Sequence, residues 1–341
     1  MIRKTEEEIK LMRKACEITG NTLKHIKNFI KPGISTLELD KIAKKYILEN
    51  DAIPTFLNYN GYPASICASV NNVVVHGIPR ADVILKEGDI ISIDVGAEYK
   101  GYTGDAARTF PVGEISKEKE RLIRVTEECF FEGIKHLKVG HRLGELSHAI
   151  QKHAEFNGYS VVRELVGHGV GKNMHEEPSI PNYGYVNSGP IVESNVTLAI
   201  EPMINMGGKK IYMAEDGWTI VTADGKPSAH YENTVLVTEN GVEILTLWLK
   251  RNEMSEVNLG DIVCSLKGRD TGAYYIVKDF DKEYVYLVDG KGKEINNPKK
   301  KKYKHIRNIN QNVEILADKF KNGKQVLDAE LRKYLRNISE S

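Results

Sequence analysis

Ile90-Ile91-Ser92-Ile93-Asp94-Val95, followed by Gly101-Tyr102-Thr103-Gly104-Asp105, reads as a strand, a turn and the start of a returning strand. Alternation puts Ile91, Ile93 and Val95 on one face and Ile90, Ser92 and Asp94 on the other, so Asp94 points away from the more apolar side. Asp105 comes eleven residues after Asp94, a length that lets a hairpin set the two carboxylates opposite each other. Adjacent carboxylates repel unless something positive sits between them. Taken alone, this pair reads more readily as two turn caps on the surface, and the rest of the chain decides.

Three further residues change that balance. Glu201 ends the run Thr197-Leu198-Ala199-Ile200 and precedes Pro202, while Glu232 opens Asn233-Thr234-Val235-Leu236-Val237. Carboxylates in such apolar strands are expensive to bury without a partner, by several kcal/mol even after relaxation. His168 lies in Val166-Gly167-His168-Gly169-Val170-Gly171, where glycines let the backbone bend and bring the imidazole close to another group. A lone histidine there is more often structural. Together, though, four carboxylates and one imidazole make an oxygen-rich, thiolate-free set suited to two Mn²⁺, Fe²⁺, Co²⁺ or Zn²⁺ ions. Four negative charges against two divalent cations leave the cluster neutral, with room for a bridging hydroxide, as in a hydrolytic centre. His76, in Val74-Val75-His76-Gly77-Ile78-Pro79, and His175, in Met174-His175-Glu176-Glu177-Pro178, are not needed as ligands. Each is either a satisfied core histidine or a group that stabilises the tetrahedral intermediate and serves the leaving amine.

Around this constellation, helices and strands alternate in blocks. Ile9, Met12, Cys16, Thr19, Leu23, Ile26 and Ile30 recur every three to four residues, Thr5 and Glu8 have capping-box spacing, and Pro32-Gly33 stops the helix. Ser35 and Glu38 start a second helix that buries Leu39, Ile42, Tyr46 and Ile47. Strands follow over 56–113, two helical patterns near 116–137 and 143–156, and strands again from 161 to 237. The order suggests α+β layers built from two similar halves.

A polar stretch at 250–257 marks a boundary. Beyond it, short strand-like runs punctuated by Gly268, Gly272 and Gly290 suggest a small β-barrel, followed by a lysine run at 299–302 and a helical end over 313–338. Residues 251–341 carry 19 Lys and Arg against 14 Asp and Glu, leaving 29 against 33 for residues 1–250. Two parts with different partners fit that asymmetry. No apolar run approaches the roughly 18 to 20 residues of a membrane span. The charged amino terminus has no leader pattern, and Cys16, Cys67, Cys129 and Cys264 form no Cys-x-x-Cys pair, so a reduced cytoplasmic setting is expected.

With Gly61-Tyr62-Pro63, Val75-His76-Gly77-Ile78-Pro79, Ile93-Asp94-Val95, Gly104-Asp105, Gly167-His168-Gly169-Val170-Gly171, His175-Glu176-Glu177-Pro178, Ile200-Glu201-Pro202-Met203, Asp216-Gly217-Trp218 and Tyr231-Glu232-Asn233-Thr234, residues 1 to about 250 closely resemble bacterial-type methionine aminopeptidases of the creatinase-like pita-bread fold. The resemblance implies that Asp105 and Glu232 bridge two divalent metals, that Asp94 chelates one, and that His168 and Glu201 complete the other. It makes Glu201 the proton shuttle, sets His76 and His175 on the scissile peptide, and lines the methionine slot with Tyr59, Tyr62, Cys67 and Trp218. Glu201 and Glu232 lie 31 positions apart, which leaves no room for the insert of the family's second type. Proline-specific relatives usually carry a large amino-terminal domain, and Asp94 comes too early for one. Phe56 and Met174 stand where bacterial members often have Cys and usually have Phe.

The tail, through Gly260-Asp261-Ile262-Val263-Cys264-Ser265 and Leu287-Val288-Asp289-Gly290, resembles the small KOW-type RNA-binding domains of ribosomal proteins. The expectation is therefore a catalytic domain over 1–250 and an RNA-binding domain with a helical tail over 251–341. Lys299, Lys300, Lys301, Lys302, Lys304 and Arg307 form the basic edge; taken alone, a lysine run is more often a solvated loop. The implied partners are nascent polypeptides that start with Met and ribosomal RNA, with no membrane and a monomeric state. The alternative is a catalytically silent pita-bread protein that binds RNA or the ribosome, which retention of all five ligands argues against.

Overall fold

The structure is a computed structural model that describes residues 1–247, 257–281 and 283–339. It divides between Trp248 and Leu249 into two compact units.

In the first unit, helix α1 (Glu6–Lys27) opens with a complete capping box: Thr5 accepts from the Glu8 amide while the Glu8 carboxylate accepts from the Thr5 amide. Its buried positions Ile9, Met12, Cys16, Thr19, Leu23 and Ile26 form one stripe. The helix ends a turn earlier than the apolar spacing predicts. Asn28 caps it, and Ile30 reaches the core as a half-buried residue of the following turn, because Pro32 disfavours helical backbone at Lys31. Helix α2 (Thr36–Glu49) starts at a second capping box, Ser35 with Glu38.

These helices cover a sheet in which strand Ile90–Tyr99 lies between Ile66–Val70 and Tyr102–Pro111. Ile91, Ile93, Val95 and Ala97 face the helices, in one cluster with Ile18, Leu23, Ile26, Leu39 and Ile47. Burying five such side chains contributes on the order of 10 kcal/mol, which fixes the opposite face of strand 90–99 toward the functional site. Helix α1 comes so close to strand 102–111 that a Cβ on Gly104 would lie 2.6 Å from the Cys16 Cα, and Thr19 Oγ1 donates to the Gly104 carbonyl at 3.0 Å. The hairpin turn differs from expectation. It is a two-residue turn at Lys100-Gly101, both with positive φ (50° and 81°), so Tyr99 pairs with Tyr102.

The second half again combines two helices with antiparallel strands, the helices lying on strands Ser160–Val161, Met203–Asn205 and Ser228–His230. Helices α3 (Lys117–Ile134) and α4 (Leu143–Phe156) pack on each other, and strands Gly241–Ile244, Asn233–Thr238, Val196–Ile200, Gly167–Gly169 and Glu176–Ile180 follow one another in a sheet. Several hydrogen bonds join the halves, three of them beside the functional site. Asp105 N donates to Thr234 Oγ1 at 3.1 Å, Thr234 Oγ1 donates to Asp105 O at 2.9 Å, and Glu232 N donates to Ala107 O at 2.9 Å.

The second unit is an antiparallel sheet in the order 299–302, 284–288, 274–280, 261–265, 306–312. A small β-barrel was expected; the sheet is a half-barrel, whose edge strands Lys299–Lys302 and Ile306–Asn312 do not pair with each other among the described residues. Val263, Val277, Val285, Leu287 and Ile306 form a core on one face, while Ile262, Ile276 and Val288 pack on the other against helices α5 (Glu314–Lys321) and α6 (Asp328–Ser339). The expected single helical end is broken at Gly323, whose φ of 61° ends α5.

Candidate metal centre and active site

Register explains how the five residues expected to bind metal meet from distant strands. Asp94 pairs with Cys67 on one side and Ala107 on the other, and Asp105 pairs with Gly96. The two carboxylates are therefore diagonal neighbours on one face rather than directly opposite, a consequence of the tight Lys100-Gly101 turn. In the other half, Asn233 pairs with Ile200, so the same register carried one residue past the strand ends faces Glu201 with Glu232. His168 pairs with Ala199, two residues before Glu201 and on its face. The Asp105–Thr234 and Glu232–Ala107 hydrogen bonds then bring the two carboxylate pairs together.

Ligand atoms of Asp105, His168 and Glu232 all lie within 4.8 Å of one another. His168 Nε2 is 3.6 Å from both Asp105 Oδ2 and Glu201 Oε1. The second imidazole nitrogen settles the tautomer: His168 Nδ1–H donates to the Gly169 carbonyl at 2.8 Å, which leaves the Nε2 lone pair facing the carboxylates, as a metal ligand requires.

The electrostatics of these residues call for a positive group. Burial pushes the Asp94 carboxyl up to about 7. Asp105 is pushed well above the usual carboxylate range by burial, then by Asp94 and Glu201; Glu201 by burial and Asp94; Glu232 by burial, then Asp105, Glu201 and Asp94. Asp94 Oδ1, Asp105 Oδ1 and Glu232 Oε1 are buried without a hydrogen-bond partner. Such orphaned anionic oxygens are rare in proteins unless a cation takes them. The donor set fits two divalent ions, and the centre is a divalent-metal site.

A cavity of about 270 Å³ opens on this cluster, lined by all five ligands together with Tyr59, Tyr62, Cys67, His76, His175 and Trp218, and by Phe56, Asn60 and Met174. Each residue expected to bind metal or substrate thus faces one space. Phe56, Tyr62, Ala64, Cys67 and Met174 pack as a buried cluster with Trp218 at its edge, and the Tyr62 and Trp218 rings meet edge to face at 5.1 Å. The Cys67 thiol, opposite Asp94, is pushed well up by burial and by that carboxylate, so it stays a neutral, soft wall. His76 takes the left-handed backbone conformation (φ 58°) and is kept neutral by burial and by His175. His175 Nδ1 hydrogen-bonds the Tyr59 hydroxyl at 2.8 Å, and burial lowers its basicity too.

One residue at the centre was not anticipated. His230 is buried, with Nε2 3.8 Å from Glu201 Oε2 and 3.9 Å from Glu232 Oε2. Burial, then His76 and Arg108, hold its imidazole down at about 3. The available signal was its place two residues before Glu232.

The basic edge of the second unit differs from its expected form. The lysine run is a strand rather than a loop, and alternation sends its side chains two ways. Lys301 is buried, its Nζ held by Ser265 and by Asp270 at 2.9 and 3.0 Å, so it is not an RNA contact. Lys299 shares Asp270 at 2.9 Å. On the other face, Lys300 Nζ lies 3.9 Å from the Tyr284 ring centre, and Lys302 pairs with Glu283 at 3.4 Å. Arg307 is half-buried opposite Cys264, and the Lys304 side chain lies outside the described residues.

Fold and site together define a metal-dependent hydrolase built around a carboxylate-rich centre. The model of metallopeptidase family M24 matches residues 10–239, and the chain belongs to that family, whose fold is the pita-bread fold. The methionine aminopeptidase of Clostridium perfringens is 54% identical over 247 residues, covering 72% of this chain and 99% of its own length. The crystal structure of methionine aminopeptidase from Thermotoga maritima superposes with a TM-score of 0.72 at 45% identity, covering 73% of this chain and all of its own. A prolidase from Pyrococcus furiosus shares the fold at a TM-score of 0.60 and 24% identity, covering 73% of this chain and 66% of its own. Among the described residues no helix is long and apolar enough to cross a membrane.

Proposed function

We propose that the chain removes the amino-terminal methionine from nascent polypeptides whose second residue is small. The observation that carries this reading is the single cavity that joins the five-ligand cluster to a slot of aromatic, thiol and thioether side chains. An unbranched, polarisable methionine side chain suits a slot between Tyr62, Cys67, Met174 and Trp218.

Asp94, Asp105, His168, Glu201 and Glu232 would hold the ions. Bound divalent ions polarise the scissile carbonyl and bring a water's pKa toward neutrality. Glu201 accepts the attacking water's proton on a carboxylate oxygen and passes it to the leaving amine. The neutral imidazoles of His76 and His175 donate N–H hydrogen bonds to the scissile peptide and to the oxygen that gains charge. Tyr59 orients His175 through its hydroxyl.

The test is release of methionine from Met-Ala-Ser and Met-Lys-Ser by the metal-reconstituted protein. Cleavage of neither sinks the reading. The finer proposal concerns the second unit, which would hold the enzyme on ribosomal RNA and raise its effective concentration near emerging chains. Its excess of positive charge supports this, as do Lys300 and Lys302 beside Tyr284 and Tyr286, cations and rings suited to phosphates and bases. Unchanged co-sedimentation with ribosomes at low salt after Lys300→Glu/Lys302→Glu substitution would refute it.

A further inference from the structure

We infer that Lys4 is a positioning residue of the active site, acting through Glu176 on the loop that presents Met174 and His175. The inference rests on the aminopeptidase reading. Lys4 lies ahead of residue 10, where the family match begins. Its Nζ reaches Glu176 Oε2 at 2.5 Å, and each side chain is 3% exposed.

Both ends of this ion pair are anchored. The Lys4 amide donates to the Asn195 carbonyl at 2.7 Å and Arg3 bridges Val196, which ties the segment before α1 to the strand that leads to Glu201. Glu176 follows His175 directly in the chain, and its other oxygen, Oε1, accepts from the Asn173 amide at 3.4 Å. The loop closes over the pair: Gly171 N donates to Asn173 O at 3.1 Å, and Thr103 N donates to Gly171 O at 2.8 Å. A Cβ on residue 171 would lie 2.5 Å from both Lys4 Nζ and Glu176 Oε1, so only glycine leaves room for this contact.

A buried ion pair is weak evidence of stability, because desolvation of the two charges rivals their attraction. What it supplies here is geometry. The loop it holds has His168 at one end and His175 at the other, with ring centres 4.3 Å apart, and Met174 in the methionine slot. Releasing Glu176 frees the 175–176 peptide and lets the His175 imidazole drift from Tyr59 and from the scissile bond.

The experiment replaces the pair with apolar side chains of similar length, Lys4→Met with Glu176→Met, a change that buried ion pairs often tolerate without loss of stability. The readouts are kcat and KM on Met-Ala-Ser, Mn²⁺ affinity by calorimetry, and Tm. The expected result is Tm and Mn²⁺ affinity near those of the parent, with kcat lower by roughly tenfold to a hundredfold and KM changed less. A folded double variant with kcat within about twofold of the parent would overturn the inference. Should the double variant not fold, Glu176→Asp keeps both charges and withdraws the carboxylate by one methylene. A fall in its kcat at unchanged Mn²⁺ affinity supports the inference, and an unchanged kcat overturns it. Lys4→Arg, which preserves the charge and reach, retains most of the activity; equal loss in Lys4→Arg and the double variant also counts against positioning. A parent protein that releases no methionine refutes the aminopeptidase reading itself, an outcome distinct from an active parent with an unaffected variant.

Discussion

Removing the divalent ions should make the protein less stable as pH rises from 7 to 8, the reverse of the usual behaviour of carboxylates. Folded Asp94 keeps its proton up to about 7, whereas its ordinary value is 3.8. Between those values the folded state binds more protons than the unfolded one, so raising the pH favours unfolding. The full effect for Asp94 alone is about 4 kcal/mol, of which about 3 kcal/mol falls between pH 5 and pH 8. Asp105, Glu201 and Glu232, all pushed upward by burial and by neighbouring carboxylates, act in the same direction; His76, His168, His175 and His230, held below their ordinary 6.5 by burial, act the other way, mainly below about pH 7. Metal-loaded protein should show the opposite slope, because protons compete with the ions for the same oxygens and that competition fades as pH rises. Urea unfolding at pH 5, 6, 7 and 8, with and without a chelator, measures both slopes. A metal-free protein whose stability is flat or increases between pH 7 and pH 8 would falsify the view that these carboxylates are buried, mutually repelling and held for cations.

Three other outcomes are expected. Glu201→Gln should lower kcat on Met-Ala-Ser by ~10²–10⁴ through loss of the proton shuttle while calorimetry still detects bound metal; an active variant removes Glu201 from that role. Glu8, held down at about 2 by the Thr5 amide and then the Tyr102 hydroxyl, contributes stability that is present above its ordinary 4.5 and lost as pH falls through about 2. The Tm difference between parent and Glu8→Ala should therefore shrink from pH 6 toward pH 2, and a difference independent of pH contradicts the capping-box assignment. Met174→Ala, at a buried position in the slot, should destabilise by about 2–5 kcal/mol in urea and raise KM for Met-Ala-Ser. An unaltered KM would place Met174 outside the slot.

Local chemistry made much of this molecule legible in its sequence. The capping boxes at Thr5 and Ser35, the apolar stripe of α1 and the alternation around Asp94 are short-range signals, and the structure carries each of them. The diagonal placement of Asp94 and Asp105 was not legible, because it depends on Lys100 accepting a left-handed conformation usually given to Asn or Gly. Nor was Lys301, whose half-buried partner Asp270 is 31 residues away and is brought near only by the sheet. His230 was hidden for a related reason. A single histidine in a short strand is most often core, and only the meeting of Glu201 with Glu232 reveals what its Nε2 faces. The ion pair of Lys4 with Glu176 spans 172 residues and has no local signature.

The central claim is tested most directly by methionine release from Met-Ala-Ser and Met-Lys-Ser, using protein reconstituted in turn with Mn²⁺, Fe²⁺, Co²⁺ and Zn²⁺, beside a Glu201→Ala variant. Cleavage of the first peptide alone, lost in the variant, is the predicted result. Absence of cleavage with every ion, from folded protein that binds metal, would contradict it.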